Sequence, residues 1–437
     1  THADLAFGVT ETAPGHSSLG TGCLPSGHGI VANDWIGRES GLLEYCFGDP
    51  DERPLRQDGP SQGAGRSARN LRRPALAELL RARDPASRSV SISGKDRAAI
   101  GMAGHADWCL WWDQARGGFQ SSTAWGERLP DWVRGWNVRW IEALLAGPFG
   151  TGWLGTRTAP LADAPLDERP GEGGRRFPYA RPQVSEEPSP EELGRLAVYT
   201  YMSPACDAFV VDLAIEALDG HALGADDHVD LLALGLSGCD ALGHPCGPGS
   251  REVADLLLCA DAALAELFAR LDEQVGEGRW IAVLAADHGV MPLPEALAAE
   301  GIEARRVDAS EVGVALRAGR EALERRYGSA LGLRGDARGL TLHAPALREA
   351  QIDVAEARSL LAAAVSAVGA DWIESVHTWD QLRAVAREDL AADGIAVLEA
   401  ASFDEERAPD VSLVPRRNVL VAMASGTSHG TPHAYDR

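Results

Sequence analysis

Lysine is all but missing from this chain of 437 residues: among its 41 lysines and arginines, Lys95 is the only lysine. A composition set so firmly against lysine makes the one ammonium group a marked position, a compact point charge where the chain otherwise offers planar guanidinium forks. Basic runs are missing as well, and 64 acidic residues bring the net charge to -23. That balance excludes nucleic acid and anionic membranes as general partners. No apolar run reaches the roughly 18 residues of a membrane-spanning helix. The start shows no basic-then-apolar leader, and no internal repeat recurs. The seven cysteines, at 23, 46, 109, 206, 239, 246 and 259, form no C-x-x-C pair and are odd in number. They read as small buried residues rather than a disulfide framework, with a Cys239 to Cys246 bridge as the alternative.

What the chain does have is concentrated first in TETAPGHSSLGTGCLPSGHGIVANDW, residues 10 to 35. The hydroxyl of Thr12 stands just before Pro14 and Gly15, where a loop turns into a helix; proline suits the first helical turn because its missing N–H is not needed there. A hydroxyl at that point faces free backbone N–H groups and the positive end of the helix dipole, an arrangement suited to phosphate or a developing oxyanion. Asn33 follows 21 residues later as an amide donor.

The rest of the chain is long enough for one elaborated α/β domain or two domains. Residues 3 to 9 read as a strand, 48 to 65 as an exposed loop, 76 to 83 as a helix and 89 to 93 as a strand ending in Gly94-Lys95-Asp96-Arg97. Residues 103 to 142 hold seven of the twelve tryptophans. With the Pro- and Gly-rich stretch to residue 203 they read as a cap insertion, the indoles serving mainly as packing. Regular order returns with a helix over 207–218, a strand over 229–236, a long helix over 252–275 and a buried strand over 280–285. Residues 301 to 410 read as a second insertion, with a helix over 355–368, before a last core strand over 418–424. Such alternation predicts an α/β fold, a mainly parallel sheet with helices on both faces, its core drawn from about 1–100, 204–300 and 411–437.

Three polar clusters each follow an apolar strand-like run. Asp240 and His244 follow LLALGLSG, Asp287 and His288 follow IAVLAA, and His429 follows NVLVAMAS. In open parallel sheets ligands bind at the carboxyl ends of strands, so these clusters should converge. Convergence carries the argument, since an Asp and a His four apart occur in many proteins that bind no metal. Two carboxylates and three imidazoles beside a hydroxyl are a donor set suited to zinc, and two metals about 4 Å apart clamp the attacking and leaving oxygens of a phosphoryl group. Lys95, two residues from the Arg97 fork, suits a phosphate clamp.

Together these segments resemble the alkaline phosphatase superfamily, in particular the branch of type I phosphodiesterase/nucleotide pyrophosphatases and threonine-dependent periplasmic alkaline phosphatases. The carriers are T-x-P-x-H, HGI-x-x-N, SISGKDR, S-x-x-D-x-x-G-H-x-x-G-P, DHG and H-G-T-P, found here in the family's order. The resemblance implies Thr12 as nucleophile and Asn33 as donor to a phosphoryl oxygen. It places Lys95 and Arg97 as the pair that favours monoesters. It implies one zinc on Asp240, His244 and His429, and a second on Asp287, His288 and Thr12. A further Asp ligand of that second zinc, which the family carries before the nucleophile, is expected to lie outside this chain, as is the strand after its last residues.

The expectation is a zinc-dependent phosphate monoester hydrolase acting on a small phosphorylated substrate through a phosphothreonine. A phosphodiesterase or nucleotide pyrophosphatase of the same superfamily and a non-catalytic phosphate or metal binder are the alternatives. The resemblance implies a periplasmic or secreted setting; oligomeric state and leaving group are left open.

Overall fold

A computed structural model describes residues 4–157, 177–385, 394–421 and 423–437. The chain divides into two compact units: Thr1–Ser18, Cys23–Cys46 and Ala286–Arg437 form the first, Leu19–Gly22 and Phe47–Ala285 the second.

The second unit is built on a six-stranded sheet in the order Leu231–Gly235, Ser89–Ser93, Trp108–Trp112, Phe119–Ser122, Pro54–Arg56, Gly59–Pro60. The first three strands run parallel and the later pairings are antiparallel. The sheet of this α/β fold is mixed, because the hairpins Trp108–Trp112/Phe119–Ser122 and Pro54–Arg56/Gly59–Pro60 reverse the chain. The residues expected to form an exposed loop over 48–65 supply two of these strands. Ser89–Ser93 is buried at every position. Its serines tolerate this because Ser91 Oγ donates to Ala99 O (2.8 Å) and Ser93 Oγ to Gly235 O (3.1 Å). Register pairs Ser93 with Gly235, so the carboxyl ends of both strands finish together, two residues before Lys95 and five before Asp240.

Helices cover this sheet as the periodicity predicts. Ala205–Gly220 buries Phe209, Val210, Leu213, Ala214 and Ala217, and Arg251–Leu271 is opened by Ser250, whose hydroxyl accepts from Val253 N–H (3.3 Å). The tryptophans do pack. Trp112 meets Phe119, Trp136 and Trp140 edge-on at 5.3–6.4 Å between centroids, an arrangement that matches ring edges to ring faces.

In the first unit, an antiparallel sheet in the order Arg334–Gly335, Gly339–Thr341, Val411–Pro415, Ile373–Thr378 lies with the helices Ala309–Tyr327 and Val354–Gly369 on a core that includes Leu323, Leu340, Leu361, Val365 and Leu413. Arg305–Val307 pairs in parallel with Val419–Val421.

Two strand expectations fail. The run 280–285 forms no strand, and Ile281, Val283 and Leu284 are 92%, 89% and 88% exposed. Apolar residues state a preference for burial but name no hydrogen-bond partner, and among the described residues no strand pairs with this run. Residues 4 to 9 are also irregular: Gly8 N donates to Leu398 O (2.8 Å) and Val9 N to Ser402 Oγ (2.9 Å), so a helix end satisfies the backbone in place of a strand. The Cys239 to Cys246 bridge does not form: Cys239 is exposed and Cys246 buried. Among the described residues no helix is long and apolar enough to cross a membrane.

Candidate active site

In the first unit the helix Thr12–Thr21 begins on Thr12 itself. Its hydroxyl is buried and has no hydrogen-bond partner among the described residues. A buried, unpaired hydroxyl is costly unless something else engages it. Beside it, Asn33 Oδ1 accepts from Ala13 N–H (2.9 Å). The partner is a donor, so the oxygen end of the amide must face it and the NH2 end is turned the other way. Gly15 brings the helix against Asp287: a Cβ there would stand 2.2 Å from Asp287 O.

Asp287, His288 and His429 gather in the same unit. The rings of His288 and His429 stack with centroids 3.5 Å apart and planes 17° from parallel. His429 Nδ1 lies 2.8 Å from Thr10 O, and His288 Nδ1 lies 2.9 Å from Gly289 O. A carbonyl only accepts, so each Nδ1 donates, which leaves Nε2 as the ring atom that a neutral imidazole offers to a metal. His288 Nε2 stands 3.2 Å from Asp287 Oδ2. Asp436 braces this region: its Oδ2 accepts from Thr431 N (2.9 Å) and Oγ1 (2.6 Å), and its own O from Gly289 N (2.9 Å).

Lys95, Arg97, Asp240 and His244 belong to the second unit. Lys95 is buried, leads into the helix Asp96–Ala103 and sets its ammonium on Asp240 Oδ2. Asp240 Oδ1 lies 3.3 Å from His244 Nε2, one turn further along the helix Gly238–Cys246. Lys95, Arg97, Arg56, Arg66 and Trp111 line a cleft of about 350 Å³. Asp113 pairs with Arg56 (2.8 Å) and Asp96 with Arg66 (2.7 Å), so the cleft holds its arginines in fixed directions.

Four residues near these groups escaped the sequence reading. His16 lies one turn beyond Thr12, its Nδ1 2.9 Å from Thr12 O and 3.0 Å from Asp287 Oδ2; the i, i+4 spacing in TAPGH could have shown it. Glu11, just before the threonine, accepts from Asn33 N–H through Oε2 (2.7 Å) and from Arg338 Nη1 through Oε1 (2.8 Å). Arg338 is 327 residues away, and nothing local marks it. Asp207 accepts from Gly238 N–H (3.0 Å) and so steadies the helix that carries Asp240 and His244. Burial pushes its carboxyl up to about 7, against the pull of the Gly238 and Ser237 amides and of Lys95.

The fold is that of the alkaline phosphatases. The crystal structure of alkaline phosphatase PafA superposes with a TM-score of 0.82 at 25% identity, over 99% of this chain and 81% of that one. Residues 5–436 match the type I phosphodiesterase/nucleotide pyrophosphatase family, and the chain belongs to it. Among curated proteins it is 35% identical over 291 residues to alkaline phosphatase PafA of Elizabethkingia meningoseptica, covering 64% of this chain and 51% of that protein. It is 33% identical over 302 residues to alkaline phosphatase PhoV of Synechococcus elongatus, covering 66% and 52%. The chain spans about half the length of these curated relatives. A second PafA crystal structure, 24% identical with a TM-score of 0.82, is of a variant altered at a threonine, an asparagine, a lysine and an arginine spaced by 21, 62 and 2 residues.

Proposed function

We propose that this chain is a metal-dependent phosphate monoester hydrolase that works through a phosphothreonine on Thr12. The observation that carries the reading is the buried Thr12 hydroxyl at a helix N-terminus, without a protein partner among the described residues and beside an asparagine whose NH2 end is turned outward by its bond to Ala13. The names of the relatives support it. So does the PafA variant, because its four altered residue types and their spacings recur here as Thr12, Asn33, Lys95 and Arg97.

In this reading Thr12 Oγ1 attacks phosphorus, the bond to the leaving oxygen breaks, and that oxygen departs as an alcohol once it gains a proton. Water then attacks the phosphothreonine, releasing inorganic phosphate and restoring the hydroxyl. Asn33 donates to a non-bridging oxygen, and Lys95 and Arg97 balance the charge on the transferred group. The donor chemistry suits zinc: backbone carbonyls hold Nδ1 of His288 and His429, which makes Nε2 the metal-binding atom of each ring, and Asp287 and Asp240 each lie beside an imidazole nitrogen. Asp240, His244 and His429 are proposed to hold one ion, and Asp287, His288 and Thr12 a second. A bound divalent cation supplies a Lewis acid that eases loss of the hydroxyl proton. A periplasmic or secreted setting goes with the same reading.

The test is Thr12→Ala. Turnover of an aryl phosphate monoester should fall by at least about 1000-fold with the melting temperature preserved, as when other covalent nucleophiles are removed. Near-normal turnover would end the covalent reading, and faster hydrolysis of diesters than monoesters by wild type would move the chain to the phosphodiesterases.

A further inference from the structure

We propose that Glu11 and Arg338 form a strut that fixes Asn33 relative to Thr12, which makes Arg338 a positioning residue for phosphoryl transfer. The proposal rests on the reading of Thr12 as nucleophile and Asn33 as oxygen donor. Residues 11–13 and Asn33 are joined by two bonds of opposite direction: Asn33 N–H donates to Glu11 Oε2 (2.7 Å), and Ala13 N–H donates to Asn33 Oδ1 (2.9 Å). One bond holds the asparagine backbone and the other its amide. Together they leave neither end free to turn without breaking a part-buried hydrogen bond.

The other face of this clasp is closed by a single guanidinium. Arg338 Nη1 donates to Glu11 Oε1 (2.8 Å) and Nη2 to Asp34 Oδ1 (2.8 Å) and Asp336 Oδ2 (2.9 Å). It therefore grips the residue before the nucleophile and the residue after the asparagine at once, which needs a planar fork and cannot be done by a point charge. Glu11 is only 6% exposed, and a buried carboxylate left without its cationic partner is costly. Partial desolvation lowers the Arg338 guanidinium, but the surrounding carboxylates, Glu11 first, outweigh it and raise it above its ordinary range. The arginine is itself anchored: its O accepts from Leu413 N (2.9 Å) and its N–H donates to Asp336 Oδ1 (2.9 Å). It stands in the turn between Arg334–Gly335 and Gly339–Thr341. Through Arg338 this turn thus reaches the residues next to Thr12 and Asn33.

Displacement of a reacting group by about 1 Å costs on the order of 100-fold. Arg338→Met should therefore lower kcat/KM for a small phosphate monoester by about 10- to 100-fold, with the loss on kcat more than on KM. Arg338→Lys should recover only part, since it neutralises Glu11 without spanning to Asp34. In an Asn33→Ala background Arg338→Met should cost at most about 3-fold more, because the group it positions is gone. Arg338 is 42% exposed, so the fold should survive its loss. Glu11→Gln with Arg338→Met, which removes both charges, keeps the test open if the single variant melts early: its melting temperature should recover while kcat stays low. Wild-type kcat/KM in Arg338→Met, or a full further loss in the Asn33→Ala background, overturns the strut while leaving the nucleophile reading intact. An active Thr12→Ala enzyme overturns both, and is recognised by that variant alone.

Discussion

Gly15 and Asp287 touch through bare backbone: a methyl group built on Gly15 would lie 2.2 Å from the Asp287 carbonyl oxygen and 2.8 Å from its carbon. The glycine of TAPGH is therefore a spacing element that lets the helix of the proposed nucleophile lie against the Asp287-His288 turn. Gly15→Ala must push the two apart. Overpacking of this kind costs about 1–3 kcal/mol, and the displacement falls on groups whose geometry matters. Expected are a lower melting temperature and a kcat reduced by about 100-fold. A Gly15→Ala enzyme with wild-type kcat would show that this contact does not set the site.

Lys95 offers a way to separate substrate classes. A monoester carries close to two charges above a second pKa of about 6, a diester one. The ammonium now sits on Asp240, and its use as a phosphate clamp requires it to serve the additional non-bridging oxygen of a monoester. Lys95→Ala should cut monoester kcat/KM by about 100- to 1000-fold, the scale of a lost oxyanion contact, and spare a slow diesterase activity. Equal loss on an aryl monoester and its methyl diester would reduce Lys95 to a counterion of Asp240.

The metal sets should differ in strength. On the proposed assignment Asp240, His244 and His429 would bring three ligands to one ion, whereas Asp287 and His288 would be joined at the second by a threonine that must lose a proton to bind strongly. Elemental analysis of the dialysed chain should give nearer one zinc than two, and a chelator should lower both turnover and melting temperature. Two tightly held zincs would require a ligand beyond these six.

Glu399 ties stability to pH in the first unit. It is 6% exposed, its Oε2 accepts from Ser412 Oγ (2.5 Å), and burial pushes its carboxyl up to about 7 from the usual 4.5. The folded state binds this proton more tightly than the unfolded chain does. Its contribution is thus complete below about pH 4.5 and lost as pH rises through about 7. Glu399→Gln should change the melting temperature little at about pH 5 and raise it at about pH 8. A parallel shift at both values would show that the carboxyl does not titrate in that window.

Sequence alone determined the local elements and the inventory of chemical groups. The helix 76–83 and the strand 89–93 are found at the predicted bounds, because period and capping act over a few residues and are written in the residues themselves. Thr12, Asn33, Lys95 and the Asp-His pairs were visible as short patterns for the same reason. Tertiary structure decided what no short pattern contains. The run 280–285 is strongly apolar, yet it forms no strand and its Ile281, Val283 and Leu284 are exposed, since pairing is a property of two segments and hydrophobicity of one. The sheet is mixed because the hairpin after Trp112 and the one at residues 54–60 reverse the chain. Glu11 meets Arg338 across 327 residues of sequence: each is an ordinary charged residue where it stands, and only folding brings opposite charges to a separation at which burial becomes tolerable.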